Sequence, residues 1–210
     1  MIIYVHVPKT GGTSLRMAAA EHFGEEAMLY DYGPEAPRTS PIVRELFYEA
    51  GEPQRLADWI RDHHVEFISG HFRLNRYPAL LPEAELITWV RDPVERVRSQ
   101  YQHRSRFLGE KSPIHRFVEK KRWTNIMTRQ TGTDASRFKV IGVLERHEES
   151  IAALNTHLGL ALTSRHDNRA EQHEPLGDDL RAKIHANNLD DYNFVKAANA
   201  RLDRAVSDRL

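Results

Sequence analysis

An α/β fold, with a mostly parallel sheet covered by helices on both faces, is predicted by three observations. Short apolar, β-branched runs alternate along the chain with longer stretches of helical spacing. The runs show little polar alternation, as expected of strands buried on both sides. Gly, Pro and Ser punctuate the joints, and neither an internal repeat nor a low-complexity linker interrupts the 210 residues. One domain over residues 1–210 is the expected organisation, since this length suffices for one sizeable core.

The first strand is expected over Ile2 to Val7, a β-branched run. Thr13 to Phe23 carries Leu15, Ala18, Ala19 and Phe23 at helical spacing. The stretch from Tyr30 to Pro41, rich in Gly and Pro, reads as loop. Ser40-Pro41 reads as a helix cap followed by proline at the first helical position, with a helix through Tyr48. Another helix is expected from Pro53 to His63. Val65 to Gly70 reads as the second strand and "ELITWV", Glu85 to Val90, as the third. A helix follows from Pro93 through "PVERVRSQYQHRSRF", and a shorter one from Ser112-Pro113 to Lys121. "FKVIGVL", Phe138 to Leu144, supplies the fourth strand, followed by a helix over His147 to Leu158. From Gly177 onward the pattern is charged and helical.

Composition closes several routes. Thirty basic residues balance thirty acidic ones, so no net field draws the chain to nucleic acid or to an anionic membrane, although a local basic cleft stays open. The absence of cysteine excludes disulfides, thiolate zinc sites and cysteine nucleophiles. No stretch approaches the roughly 18 apolar residues of a membrane span. The opening Met1-Ile2-Ile3-Tyr4-Val5 lacks a basic leader and reads as fold, not as a targeting signal.

The chemistry concentrates in "VHVPKTGGTS", where a strand feeds a tight turn and the turn feeds a helix. Gly11 and Gly12 let the backbone approach a ligand closely. The amides at the start of the helix, with its dipole, favour an anion. Lys9 adds a full charge, and Thr13 and Ser14 add hydroxyls. The arrangement describes a phosphate cradle at the carboxyl end of a strand, where ligands bind in open α/β sheets. It departs from the nucleotide-hydrolase pattern G-x-x-x-x-G-K-[ST]: Gly12 precedes Thr13, the lysine stands earlier at position 9, and position 7 is Val. An ATP site would also need an acidic magnesium ligand, for which "LITWVRD" offers Asp92 behind an intervening arginine.

"PKTGGTS" resembles the 5′-phosphosulfate loop of sulfotransferases that use 3′-phosphoadenosine 5′-phosphosulfate (PAPS), and more narrowly the branch of heparan sulfate 2-O-sulfotransferases and related bacterial proteins. A second family signature, an arginine after a strand with a serine eight positions on, is matched by Arg91 and Ser99 in "VRDPVERVRSQY". "ISGHF" resembles the strand carrying the family's catalytic histidine, and "NIMTRQTG" and "VIGVLERHEESIAAL" resemble later segments. The resemblance runs from residue 3 to about 160.

It implies a three-layer α/β/α sandwich like that of P-loop nucleotide hydrolases, with PAPS as co-substrate. Lys9, Thr10, Gly11, Gly12, Thr13 and Ser14 would hold the 5′-phosphosulfate; Arg91 and Ser99 would hold the 3′-phosphate. Lys9 would stabilise the leaving oxygen and His71 would act as general base, with Glu66 and Glu145 as the other candidate bases. No metal is required, and the acceptor is expected to be a hydroxyl, on a carbohydrate in this branch. Lacking the membrane anchor and disulfides of animal Golgi members, the chain is expected to be a bacterial cytoplasmic enzyme that neither binds nucleic acid nor inserts into membranes.

Other readings stand beside these. The alternatives are an ATP- and magnesium-dependent small-molecule kinase, and a binding module that keeps a nucleotide cleft without turnover. Arg91 alone reads equally as a surface ion pair with Asp92 or Glu95. Arg96, Arg98 and Arg104 are expected mostly on the solvated face of their helix. Arg73, Arg76, Arg129 and Arg165 are candidates for an acceptor groove, or scattered surface arginines. Trp89 and Trp123 are candidates for stacking on adenine or sugar, with Trp89 expected in the core. Asn168 or Arg169, in the segment from Ser164 to Gly177, is a candidate to approach the nucleotide. His63-His64 and "RHDN" at 165–168 lack the spacing of a zinc motif.

Overall fold

The computed structural model describes residues 1–164 and 176–207; Arg165, Asn168 and Arg169 lie outside the described residues. Five strands, β1 (Ile2–Val5), β2 (Met28–Asp31), β3 (Phe67–Gly70), β4 (Glu85–Val90) and β5 (Val140–Val143), form one sheet. Their order is β2-β3-β1-β4-β5, and every neighbouring pair is parallel.

Strand periodicity explains the two cores. In β1, Ile3 and Val5 face one cluster with Leu29, Ile68, Val90 and Ile141, while Ile2 and Tyr4 face a second with Phe67, Ile87, Trp89 and Val140. Helices α1 (Gly12–Phe23) and α7 (His147–Leu158) bring Leu15, Ala18, Ala19, Ile151 and Leu154 to the second cluster. On the opposite face, α2 (Pro41–Val43) continues into a π-helical turn over Arg44–Glu49, and α3 (Pro53–Asp62) follows. Their Val43, Leu46, Leu56, Ala57 and Ile60 pack on the first cluster. The result is the α/β/α layering that the sequence predicts. Gly142 explains how Trp89 fits inside it: a Cβ there would lie 2.1 Å from the indole.

Past the sheet, α4 (Pro93–Phe107), α5 (Ile114–Phe117) and α8 (Asp178–Asn187) share a third cluster of Val94, Val97, Phe117, Val118 and Ile184. The short α6 (Ile126–Thr131) is capped from α9 (Leu189–Ser207): Asp191 accepts hydrogen bonds from the Met127 and Thr128 amides at 3.2 and 2.8 Å. Among the described residues no helix is long and apolar enough to cross a membrane.

Strands β1, β3 and β5 are shorter than expected, and three further local expectations change. Tyr30 and Asp31 belong to β2, not to a loop; that strand is only four residues long, and all four are buried, so neither length nor alternation announces it. The helix expected through Tyr48 becomes a π-helical turn after Val43. The helix expected from Ser112 to Lys121 shrinks to α5, with a 3₁₀ turn over Lys121–Trp123 after it.

The strand order also locates a crevice. The chain leaves β1 toward β2 on one side of the sheet and leaves β4 toward β5 on the other. The connections therefore diverge between two adjacent strands, and ligands of open α/β sheets bind at such a point, outside the carboxyl ends.

Candidate active site

Two loops meet at that divergence. After β1, the chain turns through Lys9, at φ +71°, and Gly11, at φ +83°, before α1 begins at Gly12. Gly11 meets its left-handed backbone without strain, whereas Lys9 adopts a conformation disfavoured for a residue with a Cβ. Gly12 is required for a different reason: a Cβ there would lie 2.2 Å from His6 Nε2 and 2.3 Å from the Tyr4 hydroxyl. The start of α1 leaves its first amides without intrahelical acceptors. The Ser14 amide turns back to the Gly11 carbonyl at 3.3 Å.

After β4, Arg91 leads into α4. Its Nη1 donates to the Lys9 carbonyl at 3.4 Å, tying the two loops together, and its Nε lies 3.9 Å from Glu145 Oε1. The acidic partner of Arg91 is thus Glu145, not the Asp92 or Glu95 of the alternative surface-pair reading. Asp92 instead caps α4, its Oδ1 accepting from the Glu95 amide at 3.0 Å. Burial lowers the pKa of Lys9, and the Arg91 charge adds to the effect; burial likewise lowers that of Arg91, opposed by Glu145.

Lys9, Gly11, Gly12, Thr13, Ser14, Arg91, Ser99 and His71 all line one cleft of about 1750 Å³. Thr10 lies behind this surface, fully buried, its hydroxyl donating to the Val7 carbonyl at 2.8 Å. It shapes the turn from within. Glu145 lines the cleft, whereas Glu66 sits at the amino end of β3, on the far edge of the sheet, 3.6 Å from the Met1 amino group.

His71 follows β3. Its amide donates to the Asp31 carbonyl at 2.9 Å, and its Nδ1 lies 2.7 Å from the His6 carbonyl oxygen. A carbonyl can only accept, so Nδ1 carries the proton and Nε2 the lone pair. The Gln130 amide group, from α6, donates to the same carbonyl at 2.9 Å. The ring lies against those of His6 and Tyr32, with centroids 4.6 and 4.7 Å away. This packing lowers the imidazole pKa through desolvation, and the bond to His6 opposes the shift.

The far wall of the cleft is the carboxyl end of α4, with His103, Arg104, Arg106 and Phe107, joined by Trp123. Trp123 stacks on Phe117 at 5.2 Å, and the Arg104 and Arg122 guanidinium groups stand 5.0 and 4.8 Å from its centroid. Trp89 is fully buried. The arginines expected on a solvated face are corrected here. Arg96 is fully buried, its Nη2 donating to the Trp123 carbonyl at 2.9 Å, and burial lowers its pKa to about 10. Arg98 keeps only 15% of its side-chain surface, and Arg104 faces the cleft. Of the arginines proposed for an acceptor groove, Arg76 pairs with buried Asp31 at 2.6 Å and Arg129 donates to the Lys121 and Arg122 carbonyls at 3.4 Å; Arg73 is exposed, and none of the three lines the cleft. The signal for the true wall was helical spacing: His103 lies four residues after Ser99, and Arg106 seven. Sequence reasoning also passed over His6, which carries the alternation of Tyr4 one step past the end of β1, so that the two rings stack.

No family model matches the chain, and no curated protein matches it. Among solved structures it is similar to a sulfotransferase from Alicyclobacillus acidocaldarius, with a TM-score of 0.57 and 17% identity over 94% of this chain and 95% of that one. A second likeness is to mouse sulfotransferase SULT7A1 complexed with PAP, with a TM-score of 0.47 and 14% identity over 88% of this chain and 63% of that one. The first likeness shows a shared fold, with its parallel sheet and flanking helices.

Proposed function

We propose that this chain transfers a sulfuryl group from PAPS to an acceptor hydroxyl, with a carbohydrate as the acceptor class. The observation that carries the reading is the meeting of two cation-bearing loop-to-helix segments, Lys9 to Ser14 and Arg91 to Ser99, in one cleft where the β1 and β4 connections diverge. A donor with anions at both ends of one adenosine needs two such grips. The bacterial protein of similar fold is called a sulfotransferase, which agrees with this reading.

Each residue then has a task. The first amides of α1 and Lys9 hold the phosphosulfate. Arg91 grips the 3′-phosphate with a planar donor pair, and Ser99 adds a neutral hydroxyl. His71 Nε2 takes the acceptor proton as the acceptor oxygen bonds to sulfur. The sulfur–oxygen bond to the 5′-phosphate breaks, its electron pair passes to the phosphate oxygen, and Lys9 stabilises the charge that gathers there.

The decisive experiment is calorimetric titration with 3′-phosphoadenosine 5′-phosphate (PAP), followed by transfer of labelled sulfate from PAPS to a panel of glycans, lipids and small alcohols in the presence of EDTA. Binding of PAP, with EDTA-resistant transfer to a glycan, is the expected result. A folded chain that ignores PAP rejects the reading; PAP binding without transfer favours a binding module; EDTA-sensitive phosphate transfer from ATP favours a kinase.

A further inference from the structure

A second histidine lines the cleft beside His71 and has no task in the scheme above. His6 lies between β1 and the glycine loop, with 7% of its surface exposed. Its ring stacks on Tyr4 at 5.2 Å, with 12° between planes, and meets the edge of Tyr32 at 5.7 Å. The ring is therefore fixed from two sides. Nδ1 lies 3.0 Å from the Tyr32 hydroxyl, which lies 3.1 Å from Ser69 Oγ. Nε2 has no hydrogen-bond partner among the described residues, yet is not sealed from the cleft. It lies against Gly12, the first residue of α1, so close that any Cβ there would collide with it.

A held imidazole with one nitrogen engaged by protein and the other beside an anion cradle has the arrangement of a hydrogen-bond donor to charge. We propose that His6 is a further catalytic residue, whose Nε2–H donates to a sulfuryl oxygen during transfer while the Tyr32 hydroxyl donates to Nδ1. The inference rests on the sulfuryl-transfer reading and adds a group to it. The chain of donors runs from Ser69 to Tyr32 to His6 and ends at the substrate. His6 keeps its proton throughout; the acceptor proton still goes to His71, and the electron pair of the broken bond still goes to the 5′-phosphate oxygen. Burial, and then the charges of His71, Arg16 and Lys9, hold the His6 pKa well below its ordinary value, so it stays a neutral donor and does not compete with His71 for the proton.

The test compares wild type, His6→Phe and His6→Gln. Phe keeps a stacked ring without a donor, and Gln returns an N–H without the ring. PAP affinity is measured by calorimetry and sulfate release from PAPS, to alcohol or to water, by turnover. In His6→Phe turnover should fall by about 100-fold or more, as on loss of an oxyanion donor, with PAP affinity little changed, and His6→Gln should regain part of the loss. Histidine ¹⁵N resonances of the wild-type chain with PAP and inorganic sulfate should show the proton of His6 on Nε2. That readout decides the matter if His6→Phe does not fold. A folded His6→Phe with turnover within about threefold of wild type, or a proton found on Nδ1, overturns the role of His6 while leaving sulfuryl transfer intact. A wild-type chain that neither binds PAP nor releases sulfate overturns both.

Discussion

His71 donates its Nδ1–H to the main-chain carbonyl of His6 across 2.7 Å. The contact leaves the lone pair on Nε2, the nitrogen a general base needs. The His6 and Tyr32 rings desolvate the imidazole and lower its pKa from 6.5, although the residue keeps an exposed face, and the His6 carbonyl, which favours the charged form, only partly opposes the shift. The folded group is therefore neutral at pH 7 and gains a proton only when the pH falls below 6.5. Activity that needs neutral His71 should be flat near neutrality and fall with acid, with its midpoint on the acid side of 6.5. A kcat/KM profile for sulfate transfer should show that limb. His71→Ala should erase it and lower turnover by about 100-fold or more while PAP still binds. A limb that survives in His71→Ala would assign it to another group.

Arg91 and Lys9 share a cleft but are assigned to opposite ends of the donor, and substitution should separate them. Arg91→Ala should weaken PAP by about 2 kcal/mol, roughly 30-fold, as expected for loss of a charged hydrogen-bonding partner. It should also abolish preference for PAP over adenosine 5′-phosphate, which lacks the 3′-phosphate. Arg91→Lys should restore only part of that preference, because an ammonium cannot reproduce the planar fork. Lys9→Met should act chiefly on kcat. Calorimetry with both nucleotides checks the assignment, and equal affinities in the wild-type chain would refute it.

Gly12→Ala probes the floor of the cradle. The new methyl would meet the His6 ring and the Tyr4 hydroxyl well inside van der Waals contact, and both rings are held by stacking on one another. Either the loop lifts or His6 is displaced. PAP affinity should drop by about tenfold or more, together with a loss of about 1–3 kcal/mol in unfolding free energy, the usual range for overpacking. Thermal melts with and without PAP separate the two effects: stabilisation by PAP should largely vanish in the variant.

The legibility of these features follows their physical origin. The strand, glycine turn and helix around Lys9 are written locally, because each residue type answers a backbone need within its own neighbourhood. Arg91 and Ser99 stood out through their resemblance to a family signature instead, and both line the cleft. β2 was not, since four wholly buried residues carry no period. Nor was Arg96: its burial depends on α5 and the turn ending at Trp123, brought to α4 by tertiary packing. The His71 tautomer was beyond reach, as it depends on a carbonyl 65 residues away.

The carboxyl end of β2 offers the last prediction, on stability. Asp31 is fully buried and accepts hydrogen bonds from Arg76 at 2.6 Å, Tyr48 at 2.6 Å and Tyr77 at 2.9 Å, while its own carbonyl receives the His71 amide. The guanidinium also lies 4.6 Å from the Phe47 ring centroid. Removing the cation leaves a carboxylate in a site that water cannot easily reach, which costs more than the pair itself contributes. Arg76→Ala should therefore destabilise the fold by about 3 kcal/mol in denaturant unfolding. Adding Asp31→Asn removes the stranded charge, so the double variant should recover part of the loss instead of adding to it. Because Asp31 also holds the His71 amide, Arg76→Ala should lower sulfate transfer more than it lowers PAP affinity. Strict additivity of the two stability changes would show that Asp31 and Arg76 do not act as a pair.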